Sequence, residues 1–142
     1  MLFTADHDEP RRILQKFIAA EINPFVDEWE KNDIFPAHEL FKKLGDLGFL
    51  GLNKPEQFGG QGLGCLAAGV IHEEIARADL SISYINLLAS LNGQILSQHG
   101  QPEVVKPWLE KLTRGEALFA IALTEPRGGS DAANLRLRVE RI

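Results

Sequence analysis

Apolar side chains recur at helical spacing through most of the chain. The first such stretch runs from Asp8 to Lys31, with charged residues on its other face and Pro24 inside it. Because proline removes a backbone donor and clashes with the preceding turn, we expect a kink or a break near Pro24. A second, shorter helix follows Pro36 and ends at Gly48.

Three more helices are predicted after a glycine-rich connection. Residues 48–64 hold six glycines, a density that no helix tolerates, so this segment is expected to be a loop. The later helices begin near Leu66, Leu80 and Pro102. The helix from Leu80 is apolar on most of its circumference, which predicts a central helix surrounded on several sides. Gly93 weakens that helix and is expected where a neighbour approaches closely.

The pattern changes from helical to extended after the last of these helices. Ala117 to Leu123 is a continuous apolar run of strand length, and Thr124 to Asp131 is rich in turn residues. Leu135 to Val139 then alternates apolar and charged side chains, as a strand exposed on one face does. Two strands are predicted, one on either side of a turn.

The chain therefore divides into two parts. Residues 1–115 are expected to form an N-terminal α-helical bundle domain, and residues 116–142 to supply the first one or two strands of a β domain. Two strands alone are marginal in water, so we expect the rest of their sheet to lie beyond Ile142, with the chain a truncated piece. The predicted fold class is mainly α.

Composition and charge exclude several classes of function. Of the 142 residues, 44% are hydrophobic and 25% charged, as in a soluble globular protein. The net charge is -5 and no basic block is present, which argues against nucleic acid as a partner. Neither an export signal nor a membrane span is evident, and the single Cys65 fits a reducing compartment, so we expect a cytoplasmic protein.

The best candidate for chemistry is the turn T-E-P-R-G-G-S-D from Thr124 to Asp131. Its paired glycines let successive amides point inward as an anion-binding concavity, and the Thr124 and Ser130 hydroxyls can donate hydrogen bonds. A phosphorylated cofactor would suit such a loop. An ordinary reverse turn, with Asp131 accepting local amides, explains the same residues.

This loop resembles the T-E-P-x-A/G-G-S-D signature of the acyl-CoA dehydrogenase family. Upstream motifs agree with that family in order and spacing, and they are F-G-G-Q-G at 58–62, E-E-I-A at 73–76 and G-E at 115–116. The resemblance implies a helical domain, a middle β domain and a C-terminal four-helix domain around a tightly bound FAD, in a homodimer or homotetramer. It also implies oxidation of an acyl-CoA thioester to 2,3-enoyl-CoA, with an electron-transfer flavoprotein as electron acceptor.

The resemblance assigns candidate binding residues. Those for the cofactor are Ile121, Leu123, Thr124, Gly129 and Ser130, and those for the acyl-CoA are Ser130, Tyr84, Leu87 and Leu88. Thr124 would bond the polar edge of the flavin ring, and Ser130 would lie at the pyrophosphate and border the acyl-CoA. If Tyr84 and Leu87 line the acyl pocket they would shorten it, favouring short or branched acyl groups, although plain core packing explains the same stripe.

No residue of this chain is assigned as a catalytic group. The family's base is a glutamate of the C-terminal domain, and the adjacent Glu73 and Glu74 point about 100° apart on a helix, which favours one solvated and one buried carboxylate. The four histidines lack metal or triad spacing, so no metal site is expected. Alternative functions are an acyl-CoA oxidase or flavin monooxygenase of the same fold, or a non-catalytic helical interaction module.

Overall fold

Six α-helices make up most of the described chain. A computed structural model describes residues 5–138 and 140. Val139, which ends the second predicted strand, and residues 1–4, 141 and 142 of the two predicted domains lie outside the described residues. The helices are α1 (Ala5–Glu21), α2 (Val26–Asn32), α3 (Ala37–Asp46), α4 (Gly64–Ala78), α5 (Leu80–His99) and α6 (Pro102–Thr113). The mainly α fold class is confirmed.

The first predicted helix is broken in two around Pro24. α1 ends at Glu21 and α2 begins at Val26, with turns between them, so the break is the outcome rather than the kink. α2 has no fully buried side chain. Its half-buried Trp29 contacts the core and lies 6.5 Å, ring to ring, from Phe35.

The hydrophobic core lies between α1, α3, α4 and α6. Its largest apolar side chains with almost no exposed surface are Leu14 of α1 and Ile22 just after it, Phe41 of α3, Ile71 and Ile75 of α4, and Leu109 and Leu112 of α6. Each such side chain contributes about 1.5–3 kcal/mol relative to an exposed one. These are positions that the helical periodicity of the sequence marked as apolar.

α5 packs against α3, α4 and α6, as expected of a central helix, but the described residues leave one side of it uncovered. Its buried residues are mostly small or polar, namely Ile82, Ser83, Asn86, Ala89 and Gly93. Its exposed residues include large apolar ones, namely Leu80, Tyr84, Leu87, Leu91 and Ile95. Periodicity cannot tell which side of an apolar helix the chain itself covers. Small residues let the neighbouring elements approach the inner side closely, and the bulky side chains remain on the outer side.

The two predicted strands do not form in the described residues. Residues 117–124 make no backbone hydrogen bond to another described residue, and residues 135–138 belong to no ladder. An antiparallel bridge between Glu125 and Gly128 is the pairing that the described residues contain. Both segments are largely exposed, and two short segments bury too little surface to hold a ladder by themselves.

Candidate functional site

The extended segment after α6 leaves the helical bundle in a direction set by aromatic contacts. The Phe119 ring meets Trp108 of α6 edge to face at 6.3 Å, and Lys111 Nζ lies 5.0 Å from the centre of the Trp108 ring. Beyond this contact the side chains of Ile121 and Leu123 are 42% and 44% exposed. The segment therefore presents apolar side chains that the helical bundle does not cover.

Glu125 organises the turn that follows. Its amide donates to the Gly128 carbonyl at 3.1 Å, and the Gly128 amide donates back to the Glu125 carbonyl at 3.0 Å. The Glu125 carboxylate accepts from the backbone amides of Arg136 at 2.9 Å and Leu137 at 2.8 Å. Glu125 thus ties the turn to the segment that returns from it, which is a structural role.

Of the predicted cofactor residues, Thr124 and Gly129 lie against each other in this turn, and Ser130 is the next residue along the chain. A Cβ at position 129 would lie 2.7 Å from Thr124 Oγ1, so only glycine leaves the threonine hydroxyl in place. Thr124 and Ser130 are both exposed, and the backbone from 121 to 124 has no partner among the described residues. Exposed hydroxyls and unpaired amides beside apolar side chains are the groups that a flavin ring and its pyrophosphate require. The residues present fit FAD.

The turn also encloses an open concavity of about 500 Å³ on the side of Arg127 and Arg136. Glu125 and Asp131 line it as well, so two basic and two acidic residues surround it. Asp131 accepts a hydrogen bond from Asn134 Nδ2 at 2.9 Å, as the ordinary-turn interpretation expects of a local amide. This concavity is balanced in charge, and neither Thr124 nor Ser130 is among its lining residues.

The predicted acyl residues lie on the outer side of α5. Tyr84 is 57% exposed, Leu87 is 43% exposed and Leu88 is half-buried. Core packing within this chain therefore does not explain Tyr84 and Leu87. Their contact with an acyl group stays a prediction.

Comparison with known proteins identifies the helical unit. Residues 4–116 match the family model for the acyl-CoA dehydrogenase N-terminal domain. The chain belongs to the acyl-CoA dehydrogenase family. The helices, the glycine-rich connection and the T-E-P-R-G-G-S-D loop thus stand in the order in which the resemblance expected them.

Relatives in this family differ in the reaction that their names describe. A 3-(aryl)acrylate reductase of Clostridium sporogenes is 38% identical over 133 residues, covering 93% of this chain and 35% of that protein. The long-chain specific acyl-CoA dehydrogenase of Rattus norvegicus is 32% identical over 140 residues, covering 99% and 32%. A glutaryl-CoA dehydrogenase of Mycobacterium smegmatis in complex with FADH2 superposes with a TM-score of 0.86 at 27% identity, covering 95% and 35%. The chain spans about a third of the length of these relatives.

Two further features of this acyl-CoA dehydrogenase chain concern membranes and metals. Across residues 5–138, none of the helices has the length and hydropathy needed to span a bilayer. Within the same residues, His, Cys, Asp and Glu side chains form no group of three that could hold a metal ion.

The adjacent carboxylates behave as their spacing indicates. Glu74 is buried, accepts from Gln15 Nε2 at 2.9 Å, and has its carboxylate 3.5 Å from Arg11 Nε. Glu73 is exposed, with its carboxylate 3.3 Å from Arg11 Nη2. The prediction of one solvated and one buried carboxylate is confirmed, and both residues join α4 to α1 rather than form a catalytic pair.

Sequence reasoning missed Lys54, which has no exposed surface. Its Nζ donates to Asn53 Oδ1 at 2.7 Å and to the Ser90 carbonyl of α5 at 3.1 Å. Burial lowers the pKa of the Lys54 ammonium from 10.5 to about 8, and the charge of Cys65 acts weakly in the opposite direction. A lysine in a glycine-rich loop is expected to be solvated. The one signal in the sequence for a closely packed residue at this place was Gly93, which was expected to admit a neighbour.

His72 of α4 belongs to the same polar layer beneath α5. Its Nδ1 lies 3.3 Å from Asn86 Nδ2, and its carbonyl accepts from Ser83 Oγ at 3.1 Å. Burial, and then the nearby charge of Lys54, lower the pKa of His72. Both causes favour the neutral imidazole, and the residue joins α4 to α5.

Proposed function

We propose that this chain is the N-terminal part of an FAD-dependent acyl-CoA dehydrogenase that oxidises acyl-CoA thioesters to 2,3-enoyl-CoA. The observation that carries the proposal is the continuation of a family-matched helical unit into a loop with exposed Thr124 and Ser130. The names of two relatives support it, since one is an acyl-CoA dehydrogenase and the other was solved with FADH2. Oxidation in this class removes an α-proton and a β-hydride from the acyl group.

The residues of this chain have binding and positioning roles in the proposal. When bound, FAD supplies the acceptor for the β-hydride. Thr124 donates to the polar edge of the ring, Ile121 and Leu123 cover it and exclude water, and Gly129 and Ser130 hold the pyrophosphate. Ser130 also borders the acyl-CoA. The base that takes the α-proton is not among these residues.

Replacing Ser130 by alanine tests this assignment in the full-length protein. We expect the wild-type protein to purify with FAD, and acyl-CoA to reduce the flavin under anaerobic conditions. Losing a hydrogen bond to a charged phosphate should weaken FAD binding about tenfold, measured by titrating the apoprotein with FAD. Ser81→Ala, an exposed serine on α5, is the matched control and should leave binding unchanged. A full-length protein that neither carries FAD nor is reduced by any acyl-CoA would refute the function.

The proposal extends to partners and compartment. An electron-transfer flavoprotein would reoxidise the enzyme, and the full-length protein would assemble as a homodimer or homotetramer. The single Cys65 suits a reducing compartment, which supports placing the protein in the cytoplasm. Size-exclusion chromatography with light scattering would report the oligomer.

The outer side of α5 is proposed as one wall of the acyl pocket, with Tyr84, Leu87 and Leu88 facing the acyl tail. Leu87→Ala lengthens the proposed pocket, so it should raise kcat/KM for longer acyl-CoA substrates relative to short ones. We expect a change of about fourfold, because burying one more methylene of the acyl chain is worth about 0.8 kcal/mol. The measurement is a kcat/KM series over straight-chain acyl-CoA thioesters. Leu66→Ala removes a leucine of similar exposure from α4 and is the control. It should leave the dependence of kcat/KM on acyl chain length unchanged. An unchanged chain-length profile in Leu87→Ala would exclude this wall.

A second candidate is the reverse reaction, reduction of an unsaturated acid derivative. It is favoured by the 38% identity to a 3-(aryl)acrylate reductase. The two directions use the same cofactor loop, so the discriminating measurement is kinetic. Reduced protein that is reoxidised rapidly by a 2,3-unsaturated substrate, but not by an electron-transfer flavoprotein, would favour the reductase.

A further inference from the structure

Lys54 fills a groove in α5 that only glycine at position 93 provides. A Cβ at position 93 would overlap Lys54 Cε and come within 2.8 Å of Leu112 Cδ2. The aliphatic part of the lysine therefore lies directly on the α5 backbone. Gly93 and Lys54 are a matched pair, because any side chain at position 93 would displace the lysine.

The ammonium of Lys54 is bonded to α5 but to no carboxylate. None of the ion pairs within residues 5–138 includes Lys54. Its neighbour Asn53 donates from Nδ2 to Ser90 Oγ at 2.7 Å, so two consecutive loop residues form hydrogen bonds with the same residue of α5. A buried cation without a counter-charge costs folding free energy that a methionine of similar length would not. Stability therefore does not account for a lysine at this position.

α5 is held at two points on its inner side. His72 bonds Ser83 and Asn86 near the start of the helix, and Lys54 with Asn53 bonds Ser90 further along. The residues proposed to face the acyl group lie on the same turns and point elsewhere. Successive residues of a helix are about 100° apart around its axis, so its inner and outer side chains keep fixed directions relative to one another. A rotation of α5 that displaces Ser90 therefore displaces the outer side chains as well.

We propose that Lys54 is a positioning residue for the acyl pocket. By bonding Ser90 and packing on Gly93 it sets the rotation of α5, and so the positions of Tyr84, Leu87 and Leu88. This inference rests on the proposed function, since it assigns Lys54 a part in substrate selection by the same α5 wall.

The test uses the full-length protein loaded with FAD and three variants. Lys54→Met keeps the stem on Gly93 and deletes only the ammonium, and Gly93→Ala displaces the stem. Each of these two variants should change the ratio of kcat/KM between long and short acyl-CoA substrates by about threefold or more. The two changes should have the same direction, because Lys54 and Gly93 are in contact and position the same helix. In Lys54→Met/Gly93→Ala the two effects should fall short of additive, because both changes act on the same contact between residue 54 and α5.

A structural readout accompanies the kinetics. Hydrogen exchange of the amides in residues 84–91 should be about tenfold faster in Lys54→Met than in wild type. Lys16→Met, an exposed lysine of α1, is the matched control and should change neither readout. An active Lys54→Met protein with an unmoved chain-length ratio, or with kcat/KM lowered uniformly for all substrates, overturns the inference. Failure of the proposed function is distinguishable, because it shows in the wild-type protein as absence of flavin reduction by acyl-CoA.

Discussion

Gly115→Ala is expected to lower the free energy of unfolding by about 3 kcal/mol or more. Gly115 has φ of 69°, a left-handed conformation that costs other residues about 1–2 kcal/mol. A Cβ there would overlap the Phe41 carbonyl oxygen and lie 2.7 Å from Lys42 Cα. These are backbone atoms of α3, so relief requires α3 to move away from the end of α6, and overpacking of this kind costs about 1–3 kcal/mol more. Urea denaturation followed by circular dichroism measures the loss.

Gly62→Ala is the matched control for that substitution. Gly62 has φ of 67°, almost the value at Gly115, but an added Cβ would meet no atom within 4 Å. It should therefore cost only the conformational part, about 1–2 kcal/mol. Equal losses in the two variants would show that the contact between α3 and the end of α6 is not as close as described.

The stability of the protein is expected to rise by about 3 kcal/mol as the pH increases from 8 to 10.5, through Lys54 alone. In the folded protein burial holds the pKa of Lys54 near 8, whereas the unfolded chain has the ordinary 10.5. Between these values the unfolded state binds more protons, so raising the pH favours the folded state. Each unit of pKa difference is worth about 1.4 kcal/mol. The measurement is the difference in unfolding free energy between wild type and Lys54→Met at pH 7.5 and pH 10.5.

Other groups titrate in the same range, so the comparison between variants carries this prediction. Lys16→Met should keep the full rise, because Lys16 is exposed. Cys65→Ser should also keep it, since Cys65 only opposes the lowering of the Lys54 pKa. If Lys54→Met shows the same increase with pH as wild type, then Lys54 is not buried as a cation in the folded protein.

Local patterns in the sequence were sufficient for the helices and for the turn. Apolar spacing located the five predicted segments, and the fixed φ of Pro24 accounted for the break that makes them six. Such features depend on a residue and its nearest neighbours along the chain, so they can be read without knowing the fold.

Contacts between distant segments could not be predicted in the same way. The local sequence around Lys54 does not distinguish a buried lysine from a solvated one. The burial of Lys54 depends on Ser90 and Gly93, which are about 36 or more residues further along the chain. The apolar run from 117 to 123 has strand character, but it forms no ladder in the described residues, because a strand exists only where a partner pairs with it.

The sequence by itself located five helical segments and the turn from Thr124 to Asp131, and it indicated the family to which the motifs point. Only the tertiary structure decided that α5 turns its small residues inward and leaves Tyr84 and Leu87 exposed. The physical reason is that periodicity records which residues share a side of a helix. Which side becomes buried depends on the free energy of packing against elements elsewhere in the chain.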